Sequence, residues 1–306
     1  MKQVVLNLKP VPPYDFNLTA SYATYFRGTS AAESYQDGVF QRLLDVGNTL
    51  CLADVRSLGT VDSPSLEVRI MGTKLGKTVV TKAQQQTAWI LGIDQSLLSF
   101  YRLAQNDPAL SPLVKRFRGL HIPHTVSIYE ALVLAIIGQQ INAQVARLLR
   151  TLLIETYGPA LEISGNIYHC FPRATDLATA GITGLRAIKL STRKAQYIVD
   201  ISNRVISGQL DLEGLRLRPD EEVIRALTSL RGVGLWTTHW LFIRALGRND
   251  GFPHEDLALC RTLSRLLKSA IPLTPAATLE YSQQWSPFRS YVTAYLFAAI
   301  RSGLIG

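Results

Sequence analysis

The sequence has few cysteines, and none of them lies at the spacing of a metal site. Cys51, Cys170 and Cys260 are far apart and form no CxxC pair. Their positions exclude a sequence-local zinc ribbon and a four-cysteine iron–sulfur cluster, and the odd count argues against a disulfide framework. The five histidines form no HExxH or other metal pair. We therefore expect three reduced, buried thiols.

Long hydrophobic runs are also absent. The longest apolar runs, residues 131–137 and 295–300, are far shorter than the roughly 18–20 residues that a bilayer span needs. The N-terminal residues contain no apolar stretch of signal-peptide length. Hydrophobic residues make up 47% of the chain and charged residues only 18%, which is typical of packed cores and excludes a disordered chain. We expect a soluble, cytoplasmic protein with no membrane partner.

The charge is basic, with 32 Lys and Arg against 23 Asp and Glu, a net charge of +9. Such a balance is compatible with a polyanionic partner, nucleic acid first, although many basic proteins bind nothing acidic. The length of 306 residues suggests two domains, at about 150 residues per domain. No basic tail is present, so a binding surface has to be assembled by folding.

The first part of the chain, residues 1–118, is predicted to be a small α+β domain, an antiparallel sheet with helices. Several of its segments alternate with period two, most strictly at 66–72, LEVRIMG. Helical patterns occupy residues 17–25 and about 82–103. The loop RGLHIPHTVS, with its Gly and Pro residues, marks the end of this domain.

The second part, residues 119–306, is predicted to be all-helical and can divide into two subdomains with a cleft between them. Ser127 and Glu130 match a capping box that opens a long apolar helix, which Gly158 closes. Shorter helical patterns follow to the end of the chain, and strand signals are nearly absent.

The segment that indicates chemistry is LRGVGLWT, residues 230–237. Gly232 and Gly234 allow a tight hairpin between two helices, whose second helix would present free N–H groups to a phosphate. An ordinary helix–helix turn is the alternative. Trp236 and Trp240, four residues apart on one face, could be core residues. Asp256, after Gly and Pro, could be only an N-cap.

Together these residues resemble the helix-hairpin-helix motif of base-excision DNA glycosylases, with its Gly/Pro-rich loop and aspartate. IIGQQI at 136–141 and LSTRKAQYI at 190–198 resemble two further segments of that superfamily. WSPFRSY at 285–291 and PPYDF at 12–16 resemble its alkylation-repair branch, the 3-methyladenine DNA glycosylase II type. The resemblance covers most of the chain and implies an α+β N-terminal domain followed by a helical glycosylase domain.

The resemblance also implies an activity and a partner. It predicts a monofunctional enzyme that hydrolyses the N-glycosidic bond of flipped-out alkylated bases, chiefly N3-alkylated purines, with 7-methylguanine and others to be expected. The partner is double-stranded DNA that contains alkylated bases, and the protein is expected to act as a monomer, nucleoid-associated in a prokaryote. Because a cationic base leaves readily, a single carboxylate beside the sugar suffices for the chemistry.

The resemblance also implies roles for individual residues. Asp256 is the catalytic residue, and neighbouring Glu255 is a solvated bystander. The base pocket is assigned to Trp236, Trp240, Tyr291, Phe297 and Tyr22. Contacts with DNA are assigned to the hairpin residues Gly232, Val233 and Gly234, to the loop residues Gln139, Gln140 and Ile141, and to Arg193 and Lys194. No cofactor is required, but the hairpin can hold a structural Na⁺ or K⁺ through the carbonyl oxygens of Thr228, Leu230 and Val233.

The sequence departs from the family pattern at several positions, and the first of them bears on the predicted activity. Bifunctional relatives carry a lysine nucleophile where this chain has Trp236, so a Schiff-base lyase lacks its nucleophile. Arg231 replaces the usual hairpin proline, and Leu235 stands where relatives often have a basic residue. No Asn, Gln or Arg of the motif clearly points at the base, so we expect selection by stacking and leaving-group lability. The alternative is a non-catalytic helix-hairpin-helix DNA-binding module.

Overall fold

The computed structural model describes residues 1–30 and 32–305. The N-terminal part is built on a six-stranded antiparallel sheet in the order β1-β6-β5-β4-β3-β2. Leu66, Val68 and Ile70 point to the core from one strand and are fully buried, as their period-two pattern predicts. The strands are β1 (Lys2–Leu8), β2 (Thr29–Ser30), β3 (Glu33–Gln36), β4 (Val39–Asp45), β5 (Leu50–Ser57) and β6 (Leu66–Gly72).

Helices flank the sheet and form most of the remaining chain. The first four are α1 (Phe16–Ala23), α2 (Lys77–Ile90), α3 (Leu98–Ala104) and α4 (Ser111–Arg116). The next six are α5 (Ile128–Gly138), α6 (Ala143–Tyr157), α7 (Ala174–Ala187), α8 (Thr192–Ile206), α9 (Asp220–Thr228) and α10 (Leu235–Leu241). The last three are α11 (Leu257–Leu266), α12 (Pro275–Ser282) and α13 (Arg289–Arg301). No helix within residues 1–30 and 32–305 is long and apolar enough to cross a bilayer.

Two helices that the sequence predicts as continuous are broken in the structure. The pattern at 82–103 is divided between α2 and α3, and Gly92 adopts a left-handed φ of +59° just after α2. The apolar helix that begins after Ser127 ends at Gly138, because Gln139 is extended, with a ψ of 134°, and Gln140 then adopts a φ of +55°. A new helix starts after Asn142, whose side chain accepts the N–H of Val145. The second break places an irregular loop between α5 and α6.

A β-hairpin lies within the region that was expected to be all-helical. Strands β7 (Ala160–Ile163) and β8 (Asn166–His169) pair antiparallel. Ser164 and Gly165 between them both have positive φ, which suits a two-residue hairpin turn. The all-helical expectation is therefore wrong for this segment, where the Ser-Gly dipeptide was the available signal. The division into an α+β part and a mainly helical part is confirmed.

The chain packs around three main apolar cores. The first lies against the sheet and α2, the second among α5 to α10, and the third among α3, α4, α11 and α13. Phe100 and Phe117, which precede residue 118, share the third core with Leu263 and Tyr295. The boundary at residue 118 stays a prediction, but α3 and α4 pack with the C-terminal helices. All three cysteines are buried and unpaired.

A buried ion pair joins the sheet to α5. Ser127 caps α5 by accepting the N–H of Glu130, as the capping signature predicts. The carboxylate of Glu130 accepts two hydrogen bonds from the Arg42 guanidinium on β4, at 2.7 and 2.8 Å. Glu33 on β3 binds the same guanidinium, and Arg42 and Glu130 are both almost fully buried. Ser127 thus caps the start of α5, and Glu130 in its first turn fixes the helix to the sheet.

Replacing Glu130 by alanine should destabilise the protein strongly. The change leaves the buried Arg42 with Glu33 alone, so we expect the free energy of unfolding to fall by about 3 kcal/mol, the lower end for a broken buried pair. Urea denaturation followed by circular dichroism measures this. Asp62→Ala is the control, because its pair with Arg118 is exposed. Equal losses in the two variants would contradict the assigned role.

Candidate active site

The glycine hairpin between α9 and α10 is held closed by buried apolar residues and by a position that only glycine fits. Leu230 and Val233 are buried, and the Val233 N–H donates to the Leu230 carbonyl at 3.0 Å. Gly232 has a φ of +86°, and a Cβ there would approach the ring of Tyr197 to 2.3 Å. Gly234 is exposed at the start of α10. Buried residues therefore hold the hairpin in place, while its backbone at Gly234 is exposed to solvent.

Residues of the loop between α5 and α6 reach this hairpin. The side-chain amide of Gln139 donates to the Gly232 carbonyl at 2.8 Å and to the Thr237 hydroxyl at 3.2 Å. Gln140 is exposed, whereas Ile141 packs partly against the second core. Of the three loop residues that were assigned to DNA contact from the sequence, Gln139 is thus hydrogen-bonded within the protein and Gln140 is the exposed one.

The two basic residues that sequence analysis assigned to DNA contact differ in their surroundings. The Lys194 ammonium donates to the carbonyls of Ile137 and Gln139, at 2.9 and 2.7 Å, and so caps the end of α5. Partial burial, and secondarily the positive charge of Arg150, lower the pKa of Lys194. Arg193 is exposed and donates to the Tyr197 hydroxyl at 2.7 Å. Lys194 therefore positions the loop, and Arg193 lies beside the hairpin.

Asp256 is both the N-cap of α11 and the partner of a tryptophan. Its Oδ1 accepts the N–H groups of Ala258 and Leu259, at 3.0 and 3.3 Å. Its Oδ2 accepts the indole N–H of Trp236 at 3.0 Å. Glu255 is exposed. Asp256 can therefore be both an N-cap and a site residue. Its Oδ1 accepts the N–H groups of the helix, and its Oδ2 accepts the indole N–H of Trp236.

The loop that carries Asp256 is held by His239, a histidine that was given no role from the sequence. His239 lies on α10, and its Nδ1 accepts the N–H of Phe252 at 3.2 Å. Burial, followed by the nearby His254 and Arg289, lowers the pKa of His239 to about 4. The ring is consequently neutral at pH 7 and able to accept this bond. The only indication in the sequence that His239 belongs to the site is its position three residues after Trp236.

An aromatic row leads away from Asp256. The rings of Trp236 and Trp240 meet edge to face with centroids 6.2 Å apart, and Trp240 meets Phe297 in the same manner at 5.0 Å. The Arg301 guanidinium lies 5.3 Å from the centre of the Phe297 ring and 4.7 Å from that of Tyr22. Four of the five predicted pocket residues thus form one connected row, which we call the aromatic row: Trp236, Trp240, Phe297 and Tyr22.

Tyr291, the fifth predicted pocket residue, is placed elsewhere. Its ring stacks on Phe100 at 5.4 Å and contacts Phe288, and it borders a separate cavity beside Trp89. Burial raises the pKa of Tyr291 to about 12. Six residues separate it from Phe297, which rotates the two side chains about 120° apart around α13. The structure therefore does not bring Tyr291 into the aromatic row.

Arg301, the basic residue at the far end of the row, was not predicted from the sequence. It lies outside every motif, at the last position of α13, and its four-residue spacing from Phe297 was the only local signal. Among residues 1–30 and 32–305, no cluster of His, Cys, Asp and Glu side chains could hold a metal ion. The site thus consists of one fixed carboxylate, an aromatic row and a guanidinium.

Comparison with known proteins places this arrangement in a family. Residues 133–287 match the family described as HhH-GPD superfamily base excision DNA repair protein. The chain is 31% identical to a DNA-3-methyladenine glycosylase of Bacillus subtilis over 208 residues, 68% of this chain and 69% of that protein. It is 24% identical to DNA-3-methyladenine glycosylase 2 of Escherichia coli over 288 residues, 94% of each chain.

The fold agrees with a solved structure over nearly the whole chain. The 3-methyladenine DNA-glycosylase from Archaeoglobus fulgidus superposes with a TM-score of 0.84 at 24% identity, over 97% of this chain and 98% of that one. The family match includes the glycine hairpin, both tryptophans and Asp256. The protein therefore belongs to the HhH-GPD superfamily of base excision DNA repair proteins.

Proposed function

We propose that the chain is a monofunctional DNA glycosylase that binds double-stranded DNA as a monomer and removes alkylated bases, N3-alkylated purines first. The observation that carries this proposal is the hydrogen bond between the Asp256 carboxylate and Trp236, the first residue of the aromatic row. The names of the similar proteins from B. subtilis and E. coli support the same substrate class. A non-catalytic DNA-binding module has no need of such a row beside a fixed carboxylate.

The proposed chemistry uses the carboxylate at the sugar and the aromatic rings at the base. Cleavage of the N-glycosidic bond gives the sugar oxocarbenium-like character, which the negative charge of Asp256 stabilises while water attacks C1′. The target nucleotide has to leave the duplex first, and aromatic faces suit an unstacked, cationic base. Because the helix N–H groups and Trp236 already orient the carboxylate, little reorganisation is needed during the reaction. Water and one carboxylate suffice, so no cofactor is required.

Anchoring on DNA is proposed for the hairpin and the neighbouring loop. The backbone N–H groups of Gly232 and Gly234 suit a phosphate at the start of α10, whereas that of Val233 already donates to the Leu230 carbonyl. Exposed Arg193 adds charge beside them. Gln140, exposed at the tip of its loop with a left-handed φ, is proposed to enter the space that the flipped nucleotide leaves.

We further propose that the hairpin can hold Na⁺ or K⁺. The donor set would be the neutral carbonyl oxygens of Thr228, Leu230 and Val233, which suit a hard cation of low charge. The Leu230 carbonyl accepts the Val233 N–H at 3.0 Å, which leaves its second lone pair for a cation. A bound cation would add positive charge where the phosphate is expected.

Asp256→Asn should abolish most base release while preserving the fold. Asparagine is as good an N-cap as aspartate, so α11 keeps its start, but the charge that stabilises the sugar cation is lost. We expect single-turnover release of 3-methyladenine from methylated duplex DNA to fall by about 10²–10³. Glu255→Gln is the matched control and should act like the wild type. More than about a tenth of wild-type activity in Asp256→Asn would contradict the assignment.

The enzyme should not cleave the DNA strand by β-elimination. Trp236 stands where a lysine nucleophile would be required, so no Schiff base can form with C1′ at this position. Borohydride added during the reaction should trap no covalent protein–DNA adduct, and intact abasic strands should accumulate. Treatment of the same product with hot alkali is the positive control for strand cleavage. Trapping at a specific lysine would refute the monofunctional assignment.

Gln140→Ala should weaken binding to a duplex with an abasic-site analogue more than binding to undamaged duplex. Loss of one hydrogen-bonding side chain corresponds to about a 2–10-fold difference in affinity. Fluorescence anisotropy with both duplexes measures it, and Gln144→Ala, exposed in the first turn of α6, is the control. Equal losses on the two duplexes would remove the role in filling the gap.

A further inference from the structure

Arg231 packs its side chain on the ring of Tyr197, which the hairpin backbone also approaches. The guanidinium carbon of Arg231 lies 5.7 Å from the centre of that ring, a distance typical of a cation–π contact. The next residue, Gly232, is so close to the same ring that an added Cβ would lie 2.3 Å from it. Tyr197 belongs to α8 and is buried. The hairpin is therefore fixed to α8 through a side chain as well as through its backbone.

Arg193 contacts the same tyrosine from its own helix. It lies in the first turn of α8, and its guanidinium carbon is 5.9 Å from the ring centre of Tyr197. Its Nε donates to the Tyr197 hydroxyl at 2.7 Å. Arg193 and Arg231 are both exposed, although the ring between them and the protein interior is buried. Two guanidinium groups are thus held beside one ring, at the surface next to the hairpin.

Neither arginine has an anionic partner in the described part of the chain. None of the ion pairs within residues 1–30 and 32–305 includes Arg193 or Arg231. The first turn of α8 contains no acidic residue, and the helix dipole disfavours a cation such as Arg193 there. The second positive charge, on Arg231, adds to the repulsion. A bound anion would relieve both effects.

We propose that Arg231 and Arg193, held by Tyr197, form a site for a phosphodiester group of the DNA backbone, which we call the phosphate clamp. The planar fork of a guanidinium can donate two hydrogen bonds to one phosphate, and the ring holds both forks in place before DNA binds. The inference rests on the proposed function, in which the protein binds double-stranded DNA, and deepens it. Of the two arginines, only Arg193 was assigned to DNA contact from the sequence.

The phosphate clamp would act on every duplex, with or without a damaged base. Its side chains contact the backbone of the DNA, which positions the protein but carries no sequence information. It also differs from the Gly232 and Gly234 N–H groups, which are neutral. Charged side chains that neutralise phosphates release counterions, so they make the affinity depend on salt concentration. The salt dependence of binding therefore reports on the arginines.

The alternative is that Arg231 only stiffens the hairpin, in place of the proline that is usual there. Proline at position 231 would restore that stiffness without a charge. The Arg231 N–H has no acceptor in the described part of the chain, so proline would remove no hydrogen bond. Arg231→Pro therefore separates the charge of this residue from its effect on the backbone.

Binding of an undamaged duplex should be measured by fluorescence anisotropy over a range of KCl concentrations. Each phosphate contact by a basic side chain contributes about 0.9 to the slope of log K against log salt concentration. We expect Arg231→Ala to reduce the slope by about 0.9, and the double variant Arg231→Ala, Arg193→Ala to reduce it by about 1.8. Arg231→Lys keeps the charge and should keep the slope.

Two further variants decide between the proposal and simpler explanations. Arg231→Pro should reduce the slope as far as Arg231→Ala does, and a wild-type slope in Arg231→Pro overturns the proposal. Arg102→Ala, exposed on α3, removes an equal charge outside the clamp and should leave the slope unchanged. An equal loss in Arg102→Ala would show an effect of net charge alone and would also overturn the clamp. Circular dichroism melting identifies the variants that remain folded.

The slopes do not depend on base release, so the inference and the proposed function can fail separately. Wild-type protein that binds duplex DNA but releases no alkylated base would count against the glycosylase function, while the slopes would still test the clamp. Protein that releases alkylated bases, with the same slope for the wild type and for folded Arg231→Ala, would count against the clamp alone.

Discussion

The site depends on the hydrogen bonds that fix the Asp256 carboxylate. Trp236 belongs to α10, which packs in the second core, whereas Asp256 begins α11, which packs in the third. The link between them therefore spans the two helical cores. His239 strengthens the same junction by holding Phe252 in the loop before Asp256. A shift of one core against the other would move the carboxylate relative to the rings, so the packing of α10 and α11 sets the position of the proposed catalytic group.

Much of this arrangement could be predicted from the sequence, because it is local in the chain. The Gly232 hairpin, the tryptophans one turn apart and the aspartate after Gly and Pro each have a short-range physical cause. Gln139, Lys194 and Tyr291 were harder to assign, because their partners lie far away in sequence. Periodicity alone cannot show that the Gln139 amide binds the hairpin carbonyl or that Lys194 caps α5. The β7–β8 hairpin was missed for another reason, since its strands are only four residues long.

The ends of the aromatic row carry opposite charges, and this polarity follows from the chain's topology. Asp256 comes from the loop before α11, and Arg301 ends α13, two helices later. Tyr22 comes from α1, in the N-terminal part, and lies fully buried against Arg301. Both parts of the fold therefore contribute residues to the aromatic row, which explains why no single motif describes it. A sheet domain that docked differently would leave Arg301 facing solvent, where its charge would be screened.

This polarity bears on how the site would act on a flipped nucleotide in the proposed function. The Asp256 carboxylate would act at the sugar, whose positive charge develops with every substrate, so its contribution would be common to all of them. Stacking on Trp240 would favour a cationic base, and such a base also leaves readily. Selection among bases would therefore come from the rings and from the lability of the leaving group, and not from the carboxylate.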